Sequence, residues 1–306
     1  MNFWKFTGTD VSGIIVLQDQ LLSVSNIQMV TNQVHVSGEF NVNARSGTHA
    51  LLQSKAHLEK VDIKSLFTQF NNFGQNDLVA ENLDGRLTAD IVFAGLMKNN
   101  LEFDLNSLKT HMDVVINNGR LVNYKPMLSL SKFLKVEDLN DIRFETMQNQ
   151  LDIANQVIYI QAMQVKSSAL NLELMGTHTF DNELDYHFSI VLADLLTAKY
   201  LKHNPRHDNQ AEFGPVEDDN RGRTKVYVSL TGTMDNPIVK YDKRALREKF
   251  NAEITNQKTQ VKQILKQEFT SWQGDSLKRE QKLKEKAILK KQEEGKFVIE
   301  WDDDKK

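Results

Sequence analysis

Val34-His35-Val36-Ser37-Gly38-Glu39-Phe40-Asn41-Val42 alternates apolar and polar side chains, with the apolar positions at even numbers. Successive side chains of a strand point to opposite faces, so this run predicts a strand with one apolar and one polar face. That pattern favours antiparallel sheets. The rhythm recurs along the chain. Leu101, Phe103 and Leu105 alternate with Glu102, Asp104 and Asn106, and Leu170, Leu172 and Leu174 alternate with Asn171 and Glu173. His187-Phe188-Ser189-Ile190-Val191-Leu192 and Lys225-Val226-Tyr227-Val228-Ser229-Leu230 follow. Asp84-Gly85, Asn118-Gly119 and Asp181-Asn182 read as turns between strands. Leu17–Val36 aligns without gaps to Ile153–Leu172, with apolar matches at 22/158, 24/160, 27/163, 29/165, 34/170 and 36/172. Such a repeat is compatible with a sheet that grows by added strand units, or with two merely similar hairpins.

Helical signals are few before residue 243. Val61–Phe70, Pro126–Leu134 and Ala193–Leu201 are expected helices, and 203–224 is expected to be a mobile loop. From Lys243 the period becomes helical. Leu246, Phe250, Ile254, Val261, Leu265, Phe269 and Trp272 form one stripe, expected to end at Gly274 before an exposed charged helix over Ser276–Glu294. Phe297–Trp301 is a candidate edge strand. The division is therefore 1–242 as a β domain and 243–306 as a helix and charged tail. The first carries 21 Lys and Arg against 29 Asp and Glu, the second 17 against 12. An acidic body is a poor nucleic-acid binder.

The 306 residues contain no cysteine, which excludes disulfides, thiolate metal sites and thiol chemistry. No apolar stretch is long enough to span a membrane as a helix, and Met1–Phe6 has no signal-peptide pattern. His203 and His207 with Asp208 have metal-ligand spacing, but Pro205 disfavours the helix they need, and a closed site needs four ligands. Glu217, Asp218 and Asp219 with Arg221 and Arg223 read as solvated charge rather than an acid/base pair. His35, His49, His57, His111, His178 and His187 read as surface-face residues of strands. No nucleophile elbow, zinc-protease or phosphate-loop motif occurs, and no catalytic residue, cofactor or metal is expected. A β-solenoid hydrolase lacks a paired-carboxylate setting.

The wording from Asn118 to Met127 (NGRLVNYKPM), Leu130–Leu134, Asp138–Phe144, Lys166–Leu170, Gly176–Asp181 and Gly222–Thr224 into Leu230–Thr233 and Pro237 resembles the C-terminal region of AsmA-family proteins of Bacteroidetes type. The resemblance covers roughly residues 75–270. It implies a non-enzymatic protein of outer-membrane biogenesis in Gram-negative cells, related to TamB and bridge-like lipid carriers, held at the inner membrane and reaching into the periplasm. The implied fold is an elongated antiparallel sheet curled into a taco-like groove, with few short helices. This chain departs from the pattern in having no N-terminal anchor, which suggests a fragment.

Two readings follow for the apolar strand faces. They close on themselves as a sandwich or barrel core, or they line a groove that holds lipid. On the second, Ile158, Ile160, Leu170, Leu172, Leu174, Phe188, Ile190, Val226, Val228 and Leu230 share one interior and carry phospholipid acyl chains. An acyl chain gains about 0.8 kcal/mol per buried CH2 without any polar clamp. The tail helix is then expected to cap the last groove opening, or else to recruit a membrane-associated protein partner. The competing function is a scaffold that affects outer-membrane protein assembly without carrying lipid.

Overall fold

The computed structural model describes residues 9–31, 34–74, 76, 78–100, 102–132, 136–192, 216–218 and 224–294. Thirteen strands form one antiparallel sheet. They are β1 (Thr9–Gln18), β2 (Leu21–Thr31), β3 (Val34–Asn43), β4 (His49–Asp62), β5 (Leu83–Lys98), β6 (Phe103–Val122), β7 (Asp141–Ala154), β8 (Val157–Lys166), β9 (Asn171–Thr179), β10 (Glu183–Val191), β11 (Val216–Asp218), β12 (Thr224–Thr233) and β13 (Asn236–Tyr241). Each strand from β1 to β9 pairs with the next in sequence. β12 pairs with β10 on one side and with β11 and β13 on the other. The two ends of the sheet do not pair, so it stays open instead of closing into a barrel.

β-bulges interrupt the pairing. Register shifts fall at Val24/Ile27, Leu58/Val61, Asp84/Arg86, Ala94/Leu96 and Ile160/Met163. A bulge adds a residue to one strand, bends it and increases its twist. Two of the expected turns prove to be features inside long strands. Asp84-Gly85 lies in β5 and Asn118-Gly119 in β6. Gly85 has φ +137°, and a Cβ there would approach the Gly119 Cα to 3.1 Å. The dipeptides that end a strand elsewhere here permit a tight bulge. Asp181-Asn182 does connect β9 to β10.

The internal repeat is structural. Asp19-Gln20 and Asn155-Gln156 both have positive φ at consecutive positions, the geometry of a two-residue hairpin turn. The bulge between Val24 and Ile27 recurs between Ile160 and Met163. These are the positions that the gapless sequence alignment superposes.

Short helices occupy two connections. α1 (Ile63–Gln69) is capped by the Asp62 carboxylate, which accepts from the Ser65 N–H, and it packs on β5. The expected helix at Pro126–Leu134 is α2 (Lys125–Leu128) followed by a 3-10 turn (Ser129–Lys132), with Phe133 and Leu134 outside the described residues; α3 (Val136–Asn140) comes after it. Ala193–Leu201, His203, His207, Asp208, Asp219, Arg221, Arg223 and Phe297–Trp301 lie outside the described residues. The expected loop over 203–224 contains a strand, since Val216–Asp218, with Glu217 and Asp218, pairs with Thr224–Val226.

The chain forms two compact units, Met1–Leu265 and Lys266–Lys306. The last helix, α4 (Arg244–Glu294), runs through both. It does not stop at Gly274. One glycine in a helix costs only about 1 kcal/mol relative to alanine, and the flanking residues are good helix formers.

Candidate functional site

Residues directly opposite each other in paired strands share a face, so the registers sort every side chain. One row runs Ile27–Gly38–Ala56–Ile91–Met112–Leu151–Ile160–Gly176–Tyr186–Leu230–Val239, from β2 to β13. No member carries a charge. The neighbouring row on the other face runs Ser12–Gln28–Ser37–His57–Asp90–Asp113–Gln150, from β1 to β7, and every member is polar. The apolar row crosses eleven strands, about 50 Å at the usual strand spacing, and the polar row crosses seven.

The ten predicted groove residues sit on the apolar face or in its core. Leu172 and Val226 both pair with Ile190, and Leu174 and Val228 both pair with Phe188. Ile158 and Ile160 both lie on β8, the neighbour of β9, opposite His178 and Gly176. Leu170 precedes β9 and is buried with the same cluster. Gly176 admits the Tyr186 ring over its backbone, where a Cβ would meet the ring at 2.3 Å.

Exposure divides this face. Val226, Val228 and Leu230 are wholly inaccessible, and Phe188 and Ile190 nearly so. They form a closed core with Tyr124, Leu130 and Leu139 from the connection between β6 and β7, against which Met127 and Leu128 also pack. Toward the other end the apolar face is half-buried through most of β2 to β8, and at β1 it is open. Ile15 and Leu17 are 71% and 74% exposed. Sequence reasoning missed Ile27, Ile91, Met112 and Leu151 as members; extra residues in β2 and β6 break the parity around Ile27 and Met112, and Val92 beside Ile91 breaks the alternation in β5.

The polar face is knitted by hydrogen bonds between register partners. Ser23 donates to Asn41 (2.9 Å) and Asn41 to Gln53 (3.0 Å). His57 meets Asp90 and His111 meets Asp152, each at 2.7 Å, and Gln150 donates to Asp113 at 2.5 Å. Asp152 is fully buried and also accepts from Gln161. The histidines are thus not all surface residues: His178 and His187 are buried, and the His111 side chain is only 12% exposed.

The first turns of α4 lie on this polar face and not over the apolar one. Arg247 reaches Glu173 at 2.9 Å, Phe250 packs on the His187 ring with centroids 4.3 Å apart, and Lys258 bonds Gln150. Asn251, Thr255 and Lys258 face Asp113, Gln150 and Gln161 across a polar cleft of about 680 Å³. Ile254, Val261 and Leu265 of the stripe are buried, while Leu246 is exposed. Up to Leu265 the helix therefore lies against the polar face and does not cap the groove. The sheet's polar face accepts it because Met175, Ser189 and Tyr227 lie there, all buried.

His187 anchors the start of α4. Its ring lies 2.5 Å from Asp242 and 3.1 Å from Asp185. Burial alone would lower its pKa, but Asp185 and Asp242 outweigh burial and raise it. Three strands away, at the start of β7, Arg120 and then Arg143 hold Asp141 well below the usual carboxylate range, with Arg120 Nε 2.6 Å from it.

Among the described residues no group of three or more His, Cys, Asp or Glu is placed to hold a metal, and no helix is long and apolar enough to cross a membrane. No family model, curated protein or solved structure matches the chain.

Proposed function

We propose that this protein binds phospholipid acyl chains along the apolar face of its open sheet and acts without catalysis in outer-membrane biogenesis, on the periplasmic side of the inner membrane. The observation that carries the proposal is the uncharged row from Ile27 to Val239, set against the wholly polar row beside it. A continuous apolar strip of partly exposed side chains suits a flexible tail, which gains from burial at every methylene and needs no fixed partner. The resemblance to the AsmA family supports the same class of ligand and the same compartment.

A second reading, a partner-binding scaffold, is favoured by β1. This edge strand exposes Val11, Ile14, Ile15 and Leu17, and its only charged residue is Asp10. Such an edge invites strand addition by another protein. Lipid extraction and mass spectrometry of protein purified without detergent separates the two. The acyl-chain proposal expects co-purifying phospholipid at near-stoichiometric amounts. Lipid-free protein that also fails to take up oleate would leave the scaffold.

A further inference from the structure

We infer that the segment Tyr124–Lys132 is a lid over the end of the apolar face, and that acyl chains bind beneath it by displacing it; this rests on the proposal that the face holds such chains. β6 and β7 are adjacent and pair to their ends, Val122 opposite Asp141. Two residues suffice to connect neighbouring antiparallel strands. Here the chain instead leaves the sheet at Asn123 and returns at Asn140, and Tyr124 and Leu130 cover Phe188, Val226, Val228 and Leu230. The sheet beneath is complete without it, since the β9–β10–β12 ladders are continuous through these residues. The lid contributes no strand to them.

What holds the lid is packing against the sheet and not its own secondary structure. α2 and the 3-10 turn are four residues each, far too short to be stable by themselves, so they keep their form only while docked. Docking is apolar, helped by the Tyr124 hydroxyl, which donates to the Met234 sulfur at 3.3 Å. A lipid tail offers the same chemistry to the sheet as Leu130 does. The base, by contrast, is clamped. Asn123 N–H donates to the Asn140 carbonyl at 2.9 Å, and Asp141 binds both Arg120 and Arg143. Asn123, at φ +51°, is the residue where the chain turns away. A firm base, a cover held by apolar packing and an apolar row that continues under it are the parts of a hinged lid.

The test places spin labels at Lys125→Cys and Asp235→Cys, both exposed positions in a chain with no native cysteine. The distance between labels is read by pulsed electron paramagnetic resonance with and without oleate, and bound oleate is counted by extraction. The expected result is a second distance population longer by about 10 Å, a helix width. Joining the two cysteines with a short bismaleimide should lower bound oleate by about a quarter, the share of the thirteen strands that β9, β10 and β12 make up. If oleate binds while the distance and the crosslinked capacity stay unchanged, the lid is refuted and the trough stands. If no oleate binds, the trough fails and the lid with it.

Discussion

His187 joins three elements through one ring: Asp185 on its own strand, Asp242 at the end of β13, and Phe250 on α4. Its pKa is raised in the folded state, so the anchor contributes fully below the ordinary value near 6.5 and is lost as pH rises through the raised one. Asp242→Asn removes one buried partner and should lower stability by about 3 kcal/mol. In denaturant titrations the gap between this variant and the parent should be larger at about pH 6 than at about pH 9. An equal gap at both would mean the ring is neutral throughout. A second residue tests the closed core. Leu230→Ala should cost about 3 kcal/mol, because its side chain is wholly inaccessible and the ladders around it prevent collapse of the cavity. Ile15→Ser, at the open edge, should change stability by less than about 0.5 kcal/mol.

At the scale of the element, strands were legible because period-two alternation survives in β3, β9, β10 and β12. Their faces were legible too, which is why Leu172, Phe188, Ile190, Val226, Val228 and Leu230 were found together. Bulges defeated the same logic in β2, β4, β6 and β8, where extra residues change parity with no local mark in the sequence. The His111–Asp152 and Asn41–Gln53 pairs were invisible for a related reason. Each joins residues that only the register brings opposite. The stripe of α4 was legible, but not the surface it meets. A polar face with Met175 and Tyr227 among its charges does not announce itself as a helix seat. The element-level prediction follows from where α4 lies. Ile254→Asp should free Arg244–Leu265, raising its hydrogen exchange at least tenfold, while co-purifying lipid per folded chain stays unchanged. Loss of lipid together with the helix would return α4 to the role of a cap.

For the whole molecule, the proposed function depends on one side of the sheet and not the other. A sheet of this width has no closed interior in which to hide its apolar face, and the covering supplied by the β6–β7 connection reaches only the last strands. The remainder, from β1 to β8, is the surface left for ligand. The most direct measurement is a photo-crosslinking scan with benzoylphenylalanine against a phospholipid bearing a clickable acyl chain. One set of positions is Val24, Phe40, Leu58, Ile91 and Phe93 on the apolar face; the other is Ser23, Glu39, His57 and Asp90 on the polar face. Crosslinks at the first set and none at the second are predicted. Equal labelling of both sets, or labelling confined to the polar face, would contradict the acyl-chain trough.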